Sequence, residues 1–518
     1  MFIKAESYKR GIVVSTVFNI INKGLVFLNS IIVAYFFGTQ IKTDIYFYAY
    51  NTIMIFSLFI TSLNASVLIP ESMRLRIQQG ESAAMHFLNI FFYLYIAITL
   101  VICGIVFFDP VRAFTEISSF SHSSLQTESS ILLLATPLIL LIPIVNLLTD
   151  IMTSYKHFSM PMIVGILNGI FSILFVLLFH KVLDVLSLLT GLILSYIINF
   201  TILVVLMRRR LHWKFAFHRV RIEKRIWKNI GFAQAGNITT SLSTYAPLYV
   251  LSGFHGGMIT SLTFAQQLSA MPTNLITNQF SSVTGIKFNE LYAKREFDGI
   301  NRIFLSTSSF LLFILMPISG MFFLYAPQIT SFLFERGAFH KSGVEDTALF
   351  LKYLGLLLPM MAINTFVARL FMAGQKIMES FVYQVIFNIV LISFIFVGVH
   401  RLGIIGYPAA QVALYLLNVV FSYFLLRWFF PQVKYGQVLV DFLKILGLNL
   451  LIFLLLLFTK DLLFSLYTLL SLVTGGAIYV GALLVANRYL KVNSEINAML
   501  DRVRTYLYTY KNASKNTE

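Results

Sequence analysis

Charge is scarce in this chain. Asp, Glu, Lys and Arg make up 12% of its 518 residues, about half of what a soluble domain carries. One cysteine, Cys103, excludes an intrachain disulfide framework. There is no HExxH, no Gly-x-Ser-x-Gly and no Walker loop, and the nine histidines are scattered without metal-ligand spacing. Hydrolytic, metal-centred and nucleotide-driven chemistry therefore find no support, and no metal or cofactor is expected. Carboxylates deep inside apolar runs are nearly absent too. That argues against a multidrug antiporter, which would need them to exchange protons or sodium.

Apolar residues are what the chain has. They form 58% of it and raise the mean hydropathy to +0.81, so the expected class is an all-α polytopic membrane protein. The net charge of +17 would suggest nucleic acid in a soluble chain. Here the cations sit between apolar runs, where topology accounts for them, and no nucleic-acid partner is expected. Roughly 20 apolar residues cross a bilayer, which predicts fourteen spans: 11–37, 45–69, 84–108, 130–153, 159–180, 183–207, 229–253, 258–284, 303–326, 346–373, 379–398, 403–426, 438–458 and 463–487. The first continues without an A-x-A-type site and is read as a span, not a signal peptide. Lys4, Arg74, Arg76, Lys156, the run from Arg208 to Lys228, Lys287, Lys294, Arg295, Lys376 and Lys434 fall on one side, and Lys42, Arg112, Lys181, Arg336, Lys341, Arg401 and Lys460 on the other. The excess predicts that both termini are cytoplasmic.

Polar residues inside the spans point to function. Ser15, Asn19, Asn22, Lys23, Asn29 and Ser30 share one side of the first span. A charge near the centre of a membrane helix costs about 3 kcal/mol or more unless it meets a cavity or a partner. Lys23 is therefore read as a counter-charge for an anion, with pairing to Asp44 or a carbonyl as its structural alternative. Gln234, Asn237, Ser241 and Thr244 stripe span 7; Thr263, Gln267, Asn274, Asn278 and Ser281 stripe span 8. Stripes in corresponding places predict two pseudo-symmetric six-helix lobes, 1–207 and 229–427, around a polar cleft. Packing between helices is the competing explanation. A basic linker (208–228), a final helix pair (428–487) and a cytoplasmic tail (488–518) complete the plan. The linker is read either as a plain cytoplasmic connection or as an amphipathic stretch on anionic lipid. Asp44 is read as a helix cap or as a gate paired with Lys23 or Lys42. Arg369, near the inner end of span 10, is read as snorkelling, with a secondary role in the cleft as the alternative.

Four segments carry a resemblance. FFGTQIKTDIYFYAY (Phe36–Tyr50), YKHFSMPMIVGILN (Tyr155–Asn168), LFERGAF (Leu333–Phe339) and RLFMAGQK (Arg369–Lys376) resemble, in order and spacing, motifs of the MurJ/MviN lipid II flippases. The resemblance implies the fold of the MOP exporter superfamily, with a final helix pair forming a lipid groove. It also implies alternating access that carries a polyprenyl-pyrophosphate-linked saccharide across the bacterial inner membrane for cell-wall biogenesis. Membrane lipids and cell-wall or polysaccharide synthesis enzymes are the partners it suggests. The chain departs from the family where cleft arginines are expected, having Lys23, Asn29, Ser57 and Gln267 instead, and Thr61-Ser62-Leu63 late in span 2. Asn, Ser and Gln lack the guanidinium fork that grips pyrophosphate. A lipid-linked oligosaccharide for capsule or exopolysaccharide is thus the alternative substrate. A membrane glycan-processing enzyme and a non-transporting scaffold are the remaining rivals. A counter-ion (Na+, H+ or Cl−) and the membrane potential both stay open as the means of resetting the carrier. Substrate contacts are expected at Lys23, Asn19, Asn22, Asn29, Ser57, Gln234, Asn237, Gln267 and Asn274, with Asp44 at the outer gate.

Overall fold

Lipid offers backbone amides and carbonyls no hydrogen-bond partners, so a spanning chain must satisfy them internally, and a helix does this within one segment. The computed structural model describes residues 8–218, 222–463, 468–490, 493, 496, 497 and 501. Lys4, most of the tail read as 488–518, and the side chains of Ser15 and Lys460 lie outside the described residues. No strand occurs among those described. The helices are α1 (Tyr8–Phe37), α2 (Ile41–Leu63), α3 (Ile69–Gln79), α4 (Glu81–Phe108), α5 (Pro110–Glu116), α6 (His122–Thr127), α7 (Ser129–Ser154), α8 (Met160–Leu183), α9 (Leu186–Arg210) and α10 (Lys224–Leu251). They continue with α11 (Met258–Pro272), α12 (Asn278–Ala293), α13 (Phe297–Phe334), α14 (Lys341–Ala373), α15 (Ile377–Leu402), α16 (Gly406–Phe429), α17 (Tyr435–Leu463) and α18 (Thr468–Leu490).

Ten stretches among the described residues are long and apolar enough to cross a membrane, with Ile41–Gln79 and Ile377–Phe429 each counted once. The second of these holds two helices, α15 and α16, separated by a short turn at Gly403–Ile405. Neither α18 nor the helices α10 and α11–α12 are among the ten. Amides and hydroxyls such as Gln234, Asn237, Gln267 and Asn274 lower their apolar content, so a hydropathy count passes over the striped helices. One further feature links spans 2 and 8. Each contains a five-residue π turn, Asn64–Leu68 between α2 and α3 and Thr273–Thr277 between α11 and α12. Such turns free backbone groups from the regular ladder and often lie at functional positions.

The chain forms two compact units. The first comprises residues 1–263, 334–343 and 384–393. Its centre is α7, whose Leu132, Leu138, Ile142, Val145 and Leu148 are fully buried; α2, α4 and α9 pack around it and α1 lies on α8. Pro137 and Pro143 sit inside α7, as neighbouring groups in a bundle permit. The second unit comprises 264–333, 344–383 and 394–518. Leu311, Leu312 and Leu315 of α13 pack there with Leu358, Ile363 and Phe366 of α14, joined by Val419, Ile445 and Tyr479 from α16, α17 and α18. The Tyr479 hydroxyl donates to Asn449 Oδ1 at 3.0 Å, which fixes α18 against α17.

The basic linker is held down. Asn89 of α4 donates to the carbonyls of Lys214 and Ala216 at 2.7 and 3.0 Å and accepts from Trp213 Nε1 at 2.9 Å. Tyr93 donates to the Phe215 carbonyl at 2.7 Å. Residues 212–218 are non-helical. This irregular strip takes its hydrogen bonds from the buried Asn89 amide and the Tyr93 hydroxyl of α4.

Candidate functional site

The first unit contains a run of polar contacts along α2 and α3, beginning at Asp44. A carboxylate in the first turn of a helix is favoured by the dipole, and Asp44 occupies that turn of α2. Its oxygens serve another helix. Oδ2 accepts from Gly257 N at 2.7 Å, and Oδ1 accepts from Thr260 N at 2.8 Å and Thr260 Oγ1 at 2.6 Å. These are the orphan donors at the start of α11, so Asp44 caps a helix more than 200 residues away. The group is 2% exposed. Lys42 pairs with Asp184 instead, and Asp44 is satisfied by amides and a hydroxyl with no cation among its bonded partners.

Glycines let the backbones come this close. Gly257 has φ +103°, and a Cβ there would lie 3.0 Å from Thr39 Cβ, so a side chain would suffer both strain and crowding. The α1–α2 corner also meets the LFERGAF turn. Ala338 N donates to Tyr35 O at 2.8 Å, and a Cβ on Gly38 would collide with the Ala338 carbonyl. Two motifs that drew attention separately in the sequence are therefore in contact. Beside them the hydroxyls of Tyr48 (α2) and Tyr245 (α10) meet each other and the Ile117 carbonyl. Ser119 N donates to Ser252 Oγ at 2.8 Å.

Further along α2 the polar face of α10 takes over. Asn237 donates to Ser62 Oγ at 2.7 Å, and Gln234 Nε2 donates to the Phe59 carbonyl at 3.0 Å. A pocket of about 300 Å³ opens here, lined by Leu58, Phe59, Thr61, Ser62, Asn237, Thr240 and Ser241. Asn388 of α15 completes the face, donating to Thr240 Oγ1 at 3.2 Å. At the π turn Asn64 is buried; it donates to Asp150 at 2.7 Å and accepts from Tyr95 at 2.9 Å.

Where α3 meets the start of α10 the contacts become ionic. Glu71, nearly buried, accepts from Arg74 Nε at 2.9 Å and from Arg225 Nη2 at 3.0 Å. Glu223 lies 3.2 Å from Arg74 and 3.5 Å from Arg225. The two guanidinium groups, Arg74 foremost, hold the Glu223 carboxyl below its usual range. α2–α3 is thus tied to the segment 225–260 at both ends, by neutral donors at one and by ion pairs at the other.

The sequence profile of the family described as "Lipid II flippase MurJ" matches residues 33–477. The chain belongs to the MurJ family. Members of that family are transporters, not enzymes. The curated relatives include a probable lipid II flippase MurJ of Borreliella burgdorferi, 22% identical over 402 residues, covering 76% of this chain and 78% of that protein. A probable lipid II flippase MurJ of Rickettsia prowazekii is 21% identical over 283 residues, 54% of this chain and 55% of that one. Among solved structures, a lipid II flippase MurJ in an inward closed conformation superposes with TM-score 0.75 at 19% identity, over 92% of this chain and 99% of that one. An inward-facing multidrug MATE transporter of the MOP superfamily superposes with TM-score 0.63 at 12% identity, over 79% and 95%. The fold is that of the superfamily.

Within this MurJ-family chain the expected contact residues divide. Lys23 is exposed and has no hydrogen bond or ion pair among the described residues; Asn19 is half-exposed. Asn22 and Asn29 turn to α8: Asn22 packs on Gly165, and Asn29 Oδ1 accepts from Ser172 at 3.1 Å. Ser57 is fully buried. Gln234 and Asn237 come together at Ser62. In the second unit Gln267 is half-buried, and Asn274 lies in the π turn, accepting from Asn278 at 3.2 Å. Arg369 Nε donates to Ser281 Oγ at 2.9 Å and its chain lies on Gly285. The sequence reading did not single out Tyr48, Tyr245, Glu71, Arg225 or Asn388. Gln384 and Asn388 are four residues apart in an apolar span, a polar pair on one helix face that would have found Asn388.

Proposed function

We propose that this chain carries lipid II, a polyprenyl-pyrophosphate-linked saccharide, from the inner to the outer leaflet of the bacterial inner membrane by alternating access. Membership of the MurJ family over residues 33–477 supports the substrate class. The observation that carries the mechanism is the pair of ties that α2–α3 makes at its two ends. In the proposed cycle they release in turn: the Asp44 cap on α11 opens toward the outside, and the Glu71–Arg225 pair opens toward the cytoplasm. The proposal includes fourteen spans with both termini cytoplasmic. Lys23 supplies the cation for the pyrophosphate, and Asn19, Gln234 and Asn237 supply amides for the sugar. Asn22, Asn29, Ser57, Gln267 and Asn274 are offered as further contacts on the sequence pattern alone. The isoprenoid tail stays in lipid along α17 and α18.

A second reading, a capsule or exopolysaccharide lipid-linked oligosaccharide, draws on the same residues. On the resemblance drawn from the sequence, Asn29, Ser57 and Gln267 correspond to positions where the family has arginines, which favours hydroxyl-rich cargo over strong anion grip. A leaflet-accessibility assay in proteoliposomes separates the two. Lipid II flipped faster than an undecaprenyl-pyrophosphate oligosaccharide supports the first reading, and the reverse order supports the second. Flipping of neither removes carrier function.

A further inference from the structure

A second group of cations, outside the residues discussed so far, lies in the second unit where α16 ends and α17 begins. Tyr423, Arg427, Pro431, Val433, Lys434 and Gln437 line a pocket of about 430 Å³ there, within the roughly 300–1,000 Å³ range of ligand sites. Its floor is fixed by packing. Val433 and Tyr435 are buried, Tyr435 donates to the Val419 carbonyl at 3.0 Å, and Lys434 N donates to Asn301 Oδ1 at 2.8 Å. Its rim is polar and open, since Arg427, Lys434 and Gln437 are exposed.

Neither Arg427 nor Lys434 has an ion pair among the described residues. The nearby carboxylates do not neutralise them. Asp441, one turn further along α17, accepts from Ser309 at 2.9 Å. Asp298, one turn before Asn301 on α13, forms no ion pair with either cation. A third cation, Lys376, lies 4.9 and 5.4 Å from the rings of Phe429 and Phe430. The start of α17 adds the positive end of a helix dipole. Trp428 is 83% exposed and Phe424 59% exposed on the adjoining surface. Exposed tryptophan of this kind is enriched at the headgroup level of membranes.

We propose that this pocket binds the phosphate of an anionic phospholipid headgroup between Arg427 and Lys434, with the acyl chains lying along Phe424 and Trp428. The guanidinium fork matches phosphate oxygens in pairs, and the Gln437 amide and Tyr423 hydroxyl are placed for glycerol hydroxyls. A free phosphate offers the same oxygens but no use for the exposed rings. The site rests on the proposed placement of the α16–α17 turn at the bilayer surface, and it is independent of which glycan is carried.

Trp428 reports on it. The full chain is placed in phosphatidylcholine vesicles containing an equal fraction of either brominated phosphatidylglycerol or brominated phosphatidylcholine. The Trp428 share of the fluorescence is taken as the difference between the parent and Trp428→Phe. Brominated phosphatidylglycerol is expected to quench at a concentration roughly tenfold lower or better, and Arg427→Gln/Lys434→Gln should remove that advantage. Both positions are exposed, so the variant is expected to fold, which circular dichroism checks. Equal quenching by the two lipids would overturn the proposal, as would an advantage that survives the double substitution. Loss of the advantage on adding millimolar inorganic phosphate would reassign the site to a soluble anion; persistence supports the lipid. No transport is measured, so failure here is distinct from failure of the flippase reading.

Discussion

Asp44 concentrates three donors on one buried carboxylate, and hydrogen bonds to a charged group are each worth about 1.5–3 kcal/mol. Asp44→Ala leaves the Gly257 and Thr260 donors without an acceptor. It is expected to lower the thermal midpoint of the purified protein more than Asp44→Asn, which keeps one oxygen. Thr260→Val removes only the hydroxyl contact and should cost less than either. Gly257→Ala combines an unfavourable φ with a close approach to Thr39, so a loss of about 1–3 kcal/mol is expected. Midpoints equal to the parent's for all four variants would show that the cap contributes nothing to the fold. The acidic side chain at position 44 was visible in the sequence, but its partner was not. The dipole argument assigns a first-turn carboxylate to its own helix, and only the tertiary approach of Gly257 redirects it.

At the scale of elements, α2–α3 and α10 are the pair on which the account turns. Their ionic end should respond to charge. Arg225→Glu places like charges at Glu71 and is expected to loosen α3 from α10. Adding Glu71→Arg should restore the contact, read as hydrogen-exchange protection of residues 223–230. Arg225 is half-exposed, so Arg225→Gln alone should change stability by less than about 1 kcal/mol. Glu223 has its carboxyl held down by Arg74 and Arg225. Its contribution is therefore complete above the ordinary carboxylate range and fades as pH falls below it, so protection should decline on acidification below about pH 4. Protection unchanged between pH 7 and pH 3 would contradict this. Helix positions were largely legible, because long apolar runs admit little else in lipid. The polar face of α10 was legible from its 3.6-residue period. The π turns were not, since Asn64–Leu68 carries no breaker that marks an extra residue in the turn. Nor did the sequence separate helix packing from cavity lining at Asn22 and Asn29; an amide bonded to a neighbouring helix has the same periodicity as one facing water.

For the whole molecule, the expected topology can be read with thiol chemistry because the chain has only Cys103. In a Cys103→Ser background, Ser123→Cys in the exposed short helix α6 should react with an impermeant maleimide from outside intact cells. Gln375→Cys, between α14 and α15, should react only after permeabilisation. The reverse pattern would invert the proposed orientation. The claim that everything else serves is that the 225–260 segment must separate from its contacts in the first 120 residues for cargo to pass. Ser119 and Gly253 allow that to be arrested, because a Cβ at Gly253 would lie 3.1 Å from Ser119 Cβ, so a small outward shift brings the pair to the roughly 3.5–4.5 Å spanned by a disulfide. The decisive measurement is lipid II translocation in proteoliposomes by Ser119→Cys/Gly253→Cys in the Cys103→Ser background, oxidised and then reduced. The account predicts arrest when cross-linked and recovery of the parental rate with reductant; parental flipping by the fully cross-linked protein would contradict it.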